Sequence, residues 1–305
     1  MKKILIIKLS ALGDMIVALR AFHAIAKFHQ GSNITLLTSA PFIELAKRTG
    51  YFSEVISLSR PKFYQLKDWF KIRSFLINNH FDTVYDLQNN NHVNFYHKLF
   101  WPHQAPIWAG TAKYATYHIN KQDTTHIHAL DRHLKMLELA GITNIPELDL
   151  SFMKTDISHL NLPANFFTII PGAAPHRILK RWAPQYFAQL INLLWEKYHY
   201  PSVIIGSIQD AAIIKEITSK TEHAISLMGK TSLFDIASIG FKTTAMIGND
   251  TGPAHIIAGT NCPSIILFSK DSSPTKSRPQ GQKVICLQKP CINDLSVEEV
   301  FAKLN

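Results

Sequence analysis

The sequence predicts an α/β protein made of two doubly wound, parallel-sheet domains. Three observations point there: the chain length, an alternation of short apolar runs with longer amphipathic stretches in both halves, and a glycine-bearing turn after an apolar run in each half. At 305 residues the chain exceeds the size at which a single core stops growing, so two domains are expected. Its 46% hydrophobic and 18% charged residues supply real cores and exclude disorder.

In the first half, apolar runs at 3–8, 34–38, 55–58 and 83–87 alternate with amphipathic stretches at 15–29, 41–48 and 63–79. The runs have strand length and the stretches have helical spacing, which together imply parallel strands joined by helical crossovers. The rhythm returns with strands at 166–170, 202–205, 244–247 and 264–268 and helices at 185–198, 211–220, 232–240 and 254–259. A polar stretch at 153–165, ending in Pro163, reads as the linker. It divides the chain into domains 1–155 and 156–290, followed by a C-terminal segment 291–305 expected to pack back toward the first domain. Within that segment 295–304 reads as a helix with Val297, Val300, Phe301 and Leu304 on one face.

Neither a signal peptide nor a membrane-spanning helix is expected, because no run of about 18 apolar residues occurs. Cys262, Cys286 and Cys291 form neither a C-x-x-C nor an even set, so they read as reduced thiols of a cytoplasmic protein. The net charge of +10 favours anionic partners. It is uneven: residues 1–155 hold 18 Lys+Arg against 11 Asp+Glu (+7), which leaves 14 against 11 (+3) for 156–305. An anionic acceptor therefore belongs with the first half. Charge is the only support for nucleic-acid binding, since no recognised module is present.

The two turns carry the chemistry. Lys8-Leu9-Ser10-Ala11-Leu12-Gly13-Asp14 and Gly248-Asn249-Asp250-Thr251-Gly252-Pro253-Ala254-His255 each join an apolar run to a helix, placing free backbone N–H groups where anions bind. They read as corresponding positions of the two halves, suited to a diphosphate-linked donor and its acceptor. Neither G-x-G-x-x-G nor G-x-x-x-x-G-K-[ST] occurs at the first turn, so a dinucleotide fingerprint and a P-loop are excluded there. Asp14 is either a capping carboxylate or a general base. Pro253 suits the first helical position, and the second turn is either an ordinary cap or an anion site. The 171–182 loop brings Arg177, Lys180 and Arg181, cations that either stay solvated or neutralise a leaving diphosphate without a metal. The 60–73 segment mixes five cations with Phe63, Tyr64, Trp69 and Phe70, read equally as an anionic-lipid or acceptor contact and as core aromatics beneath a solvated face. No zinc spacing, H-E-x-x-H or G-x-S-x-G occurs.

Together these segments resemble the glycosyltransferase family 9 heptosyltransferases, which build the inner core of bacterial lipopolysaccharide from ADP-heptose; within that series the likeness is nearest to heptosyltransferase I. The family's K-x-S-x-x-G-D is met by Lys8, Ser10, Gly13 and Asp14, its D-x-Q by Asp86-Leu87-Gln88, and its H-A-x-x-R by His128, Ala129 and Arg132. Its P-G-A loop ending in K-x-W is met at 171–182, its G-K-T-S-L at 229–233, and its D-[TS]-G-x-x-H by Asp250, Thr251, Gly252 and His255.

The resemblance implies the GT-B architecture, two Rossmann-like doubly wound domains facing across a cleft, and inverting transfer with no metal and no cofactor. By the same resemblance, Asp14 is the base. Ser10, Gly13, Lys180, Asp210, Met228, Asp250, Thr251, Gly252 and His255 bind the donor, with Asp210 at the ribose and Met228 near the adenine. Arg60, Lys62, Gln88 and Arg132 bind the acceptor. The implied partners are an ADP-sugar and an anionic, lipid-linked lipopolysaccharide precursor, met by peripheral contact with the cytoplasmic face of the inner membrane; nucleic acid is not among them. A binding module without turnover is the alternative class, and the presence of Asp14 argues against it. Two departures bear on the identity of acceptor and sugar. Asn89, Asn90, Asn91 and His92 follow D-x-Q where the family usually has glycine and a basic residue, and Ser269-Lys270-Asp271 stands where Gly-Pro-Thr is usual.

Overall fold

The computed structural model describes residues 1–174 and 177–304; Pro175 and His176 of the 171–182 loop and Asn305 of the C-terminal segment lie outside the described residues. The chain divides into two compact units, Met1–Glu147 and Leu148–Asn305.

The first unit contains β1 (Lys3–Ile7), β2 (Asn33–Thr38), β3 (Glu54–Ser57), β4 (Thr83–Asp86), β5 (Ile107–Gly110) and β6 (Tyr117–His118), in the order β3-β2-β1-β4-β5-β6. Every pairing is parallel. The runs at 4–7 and 83–86 are buried throughout because helices cover both faces of the central strands. The second unit holds β7 (Phe167–Ile170), β8 (Ser202–Ile204), β9 (Ala224–Ser226), β10 (Met246–Asn249), β11 (Ser264–Phe268) and β12 (Val284–Gln288), in the order β12-β11-β10-β7-β8-β9, again all parallel.

Renumbered from its own first strand, the second sheet also runs 3-2-1-4-5-6. Both units are therefore Rossmann-type, with the strand order reversing between β1 and β4 in one and between β7 and β10 in the other, where ligands bind outside the carboxyl ends of strands. This corrects the equivalence of the two turns. The Lys8–Asp14 turn follows its unit's first strand, whereas the Gly248–His255 turn follows its unit's fourth. The true counterparts are the 171–182 loop after β7 and the Asp86-Leu87-Gln88 turn after β4.

Two further expectations are corrected. Residues 148–155, assigned to the first domain by composition, pack on the second unit: Leu148 and Leu150 crowd Gly259, and Thr155 N–H donates to Ser238 Oγ at 2.8 Å. The division therefore falls before Leu148, not at 155. The C-terminal segment stays with the second unit as well. Its helix is only Val297–Phe301, continued by a 3₁₀ turn at Ala302–Leu304, and it lies on the helix Pro184–Tyr198. Val297 and Val300 enter the second core, Trp182 Nε1 donates to Leu295 O at 3.0 Å, and Lys197 Nζ sits 5.3 Å above the Phe301 ring. Among the described residues no helix is long and apolar enough to cross a membrane.

Candidate functional site

In the first unit the polar residues gather where β1 and β4 end. The helix Leu12–Phe28 starts directly after the first turn, and the Asp14 carboxylate reaches back to accept from Ala11 N–H at 3.2 Å, satisfying a donor that the helix leaves orphaned. Asp14 is nonetheless exposed, so capping leaves it open to a ligand. The turn itself is held from β4: Gln88 Oε1 accepts from Leu9 N–H at 2.9 Å and Ser10 N–H at 3.1 Å. Gln88 is oriented in turn by Asp86, whose Oδ1 accepts from the N–H groups of Gln88 and Asn89, both at 2.9 Å. Gln88, expected at the acceptor, thus holds the loop that carries Asp14.

Burial sets the charges around this turn. Asp86 is fully buried, and loss of solvent pushes its carboxyl up to about 7 against the opposing pull of the Asn89 and Gln88 N–H groups and Lys8. An alanine at Gly110 would place its Cβ 2.9 Å from Asp86 Cβ, so the glycine lets the Asp86 side chain pack against its backbone. The buried Lys8 Nζ donates to Leu87 O at 3.1 Å; burial lowers its pKa, with Arg132 acting in the same direction and Asp14 and Asp86 opposing. The helix Ala129–Leu139, capped by His128, packs Ala129 and Leu130 on Val17 of the first helix and so brings Arg132 into the electrostatic reach of Asp14. Burial also lowers the Arg132 pKa, and its Nε is enclosed without a partner. His133 is buried and neutral, since burial and the cations Lys8 and Arg132 hold its pKa well below the ordinary value; Nε2 donates to Leu87 O at 3.1 Å. The arrangement is an exposed carboxylate flanked by two cations.

Arg60 and Lys62 are exposed and precede the helix Leu66–Asn78. Arg60 bears electrostatically on His92 and Tyr96. The two readings of 60–73 divide its aromatics: Phe63 is 92% exposed and Tyr64 and Phe70 are exposed too, whereas Trp69 is partly buried against the core into which the helix sends Ile72 and Leu76. Phe63, Tyr64, Trp69, Phe70 and Phe95 line an apolar cavity of about 740 Å³.

The second unit has a cavity of about 650 Å³ at the β7/β10 switch point, with walls from Gly172 and Ala173 after β7, Ser207 to Asp210 after β8, Gly229 and Thr231, and Thr251 to Pro253 after β10. Asp210 Oδ2 accepts from Ser207 N–H at 2.9 Å and Ser207 Oγ at 2.8 Å. The helix Gly252–Gly259 begins at the cavity; its cap, Thr251, makes no side-chain cap bond, and Thr251 Oγ1 is buried without a partner. An apolar slab, Ile170, Ile205, Ile236 and the 78% exposed Ile208, completes the lining.

Behind the helix start, Asp250 Oδ2 accepts from Lys180 Nζ at 2.7 Å and Oδ1 lies 3.7 Å from His255 Nε2. Burial opposes the charge on Asp250, but the contacts from His255 and Lys180 outweigh it and hold the carboxyl below its ordinary range. Met228, expected at the adenine, is partly buried against the second core, and its neighbour Gly229 lines the cavity. Ser10 and Gly13, expected at the donor, belong to the first unit's turn. Asn249, not singled out from sequence, organises the 171–182 loop from both ends: Nδ2 donates to Pro171 O at 2.8 Å and Oδ1 accepts from Trp182 N–H at 3.2 Å. Ser207 was missed as well; its one sequence signal is the three-residue spacing to Asp210 that a capping pair uses.

Gly172 is a direct test of the cavity. A Cβ there would lie 2.7 Å from Asp210 Oδ1, displacing a carboxylate pinned by Ser207. If the cavity takes the nucleotide that the family resemblance implies, Gly172→Ala should weaken ADP binding by about tenfold or more, the loss of one hydrogen bond to a charged group. Titration calorimetry with ADP checks it, and unchanged affinity would place the nucleotide elsewhere.

Two doubly wound units, each with its polar groups at the carboxyl edge of its sheet, make a two-domain, Rossmann-type architecture of the GT-B kind. The family model "Glycosyltransferase family 9 (heptosyltransferase)" matches residues 69–304, and the chain belongs to that family. Among relatives, lipopolysaccharide heptosyltransferase 3 of Escherichia coli K12 is 28% identical over 182 residues, covering 56% of this chain and 51% of that protein; the match thus spans about half the relative's length. A family 9 glycosyl transferase from Veillonella parvula superposes with a TM-score of 0.82 at 19% identity, covering 99% of this chain and 96% of that one. E. coli heptosyltransferase WaaC with ADP-2-deoxy-2-fluoro heptose gives 0.74 at 20% identity, covering 98% and 97%. These likenesses bear out the GT-B-type fold. Membership of the family is shown; the curated relatives include a heptosyltransferase 3, a lipooligosaccharide heptosyltransferase 2 and the core heptosyltransferase OpsX, and they do not single out heptosyltransferase I.

Proposed function

We propose that this protein transfers heptose from ADP-heptose to the inner core of lipopolysaccharide on its Kdo-lipid A precursor, with inversion and without a metal. The observation that carries the reading is the nucleotide-sized cavity at the second unit's switch point in a family 9 chain, with apolar walls for a base, Asp210 for a ribose and a helix start for a diphosphate. The WaaC relative that holds an ADP-heptose analogue supports the choice of donor.

Asp14 takes the proton from the acceptor hydroxyl as that oxygen attacks the anomeric carbon. The bond from that carbon to the diphosphate breaks on the opposite face, and ADP leaves with its charge met by Lys180 and the free N–H groups of Gly252 and Ala254. Arg132 and the basic 60–73 segment receive the anionic acceptor, and Phe63, Tyr64 and Phe70 rest against the cytoplasmic face of the inner membrane. Incubation with ADP-heptose and the lipid precursor, in excess EDTA, should yield a heptosylated product of inverted anomeric configuration by mass spectrometry and NMR. Binding of ADP with no transfer would reduce the protein to a nucleotide-sugar binding module, and activity lost to EDTA and restored by magnesium would overturn the metal-free route.

A further inference from the structure

A second cavity in the first unit, about 760 Å³, lies beyond the carboxyl ends of β5 and β6 and shares only Asn91 and Phe95 with the aromatic one. Its character is opposite. One wall is a face of the helix Asn91–Lys98, where Asn91, Asn94, Phe95 and Lys98 recur at helical spacing. The other runs from the end of β5 through the end of β6 and beyond, and contributes Lys113, His118, Lys121 and four more amide or hydroxyl side chains. No Asp or Glu lines it. Among the described residues no carboxylate pairs with Lys98, Lys113 or Lys121.

The polar groups are held in place. Asn90 caps the helix by accepting from Val93 N–H at 2.9 Å, Thr111 Oγ1 donates to Asn94 Oδ1 at 2.9 Å, and Lys121 Nζ reaches Asn91 Oδ1 at 3.4 Å. His118 is anchored through Nδ1 at 2.9 Å from Ala112 O. Cations without a carboxylate partner suit phosphate or carboxylate oxygens, and amides that both donate and accept suit sugar hydroxyls. The wall also begins three residues after Gln88, the side chain that holds the Asp14 turn.

We infer that this cleft binds an anionic saccharide, through a phosphate or carboxylate on the sugar, and so holds the charged glycan of the acceptor while its lipid lies elsewhere. The inference rests on the transferase reading for the acceptor but not for the binding.

The variant is Lys98→Gln, Lys113→Gln and Lys121→Gln combined, in the full chain. By saturation-transfer NMR the wild type should bind glucose 6-phosphate or glucuronate in preference to glucose, and whichever anion is preferred names the charged group; the variant should lose that preference. ADP affinity, read by calorimetry, should be unchanged, which certifies the fold. In the transfer assay the variant's acceptor KM should rise by about tenfold or more, with kcat within about twofold, as for lost charge-assisted contacts made equally in ground and transition states. Equal binding of glucose, or anionic-sugar binding that survives in the variant, overturns the cleft. An unchanged acceptor KM in an active enzyme overturns its use in transfer while the transferase reading stands. Absence of any transfer by the wild type overturns that reading, and the NMR comparison still decides the cleft.

Discussion

Asp14→Asn is expected to lower the transfer rate by roughly 10² to 10⁴, the range for a positioned general base, while leaving the fold and ADP affinity intact. The separation follows from what the side chain does locally. Its structural task is to accept from Ala11 N–H, and an asparagine oxygen does that equally well, so the helix start survives and stability should change by less than about 1 kcal/mol. Its chemical task needs a basic carboxylate, which the amide cannot supply. Lys8 and Arg132 remain in place, because Lys8 is bonded to Leu87 O and Arg132 rides on a packed helix. Single-turnover transfer, ADP calorimetry and a melting curve on one preparation separate the outcomes: an unchanged rate removes Asp14 from the chemistry, and a large drop in melting temperature would mean that the carboxylate chiefly caps its helix.

Lys180→Ala should damage binding and stability together, and the two can be taken apart. For the donor, removal of a charge-assisted contact of about 1.5–3 kcal/mol should raise KM by roughly ten- to a hundredfold and lower kcat as the leaving group loses its cation. For the fold, Asp250 is left enclosed with only His255 beside it. The cost should be about 1–3 kcal/mol, below that of breaking a fully buried pair, because Lys180 keeps some exposure and His255 remains.

The pH dependence gives an independent sign. Asp250 is held below the ordinary carboxylate range, so its contribution to stability is complete above the unfolded value and is lost as pH falls through the folded one. Removing Lys180 raises the folded value, and acid unfolding should move to higher pH. Adding Asp250→Asn removes the unpaired charge, so Lys180→Ala/Asp250→Asn should recover stability without recovering donor affinity. If the double variant regains both, Lys180 serves only to neutralise Asp250.

The composition of the chain and its hydrophobic rhythm determined much by themselves. Two doubly wound domains were legible because their central strands are short apolar runs, such as 4–7 and 83–86, buried on both faces, and their crossovers have helical spacing. The edge strands β6 and β9 were not, since two or three half-buried residues carry no periodic signal, and β5 and β12 passed unread beside polar neighbours. Residue type and spacing also marked Asp14, Thr251 and Gly252, because turns at helix starts leave a readable pattern of glycine, proline and carboxylate; Arg132 and Asp210 were marked only by the family resemblance.

Only the tertiary structure decided which of these residues meet. It gave Gln88 the support of the Asp14 turn, set Met228 partly buried against the second core, and gave Asn249 the task of fastening both ends of the 171–182 loop. It also tied 148–155 and the C-terminal helix to the second unit through Gly259, Ser238 and Trp182. The physical reason is common to these cases. At the switch point of each sheet a side chain is separated from its partner by three crossovers and two strands, 78 residues for Asn249 and Pro171 and 79 for Leu9 and Gln88. Local pattern records the conformation of a turn, but the strand order alone determines which turns share an edge.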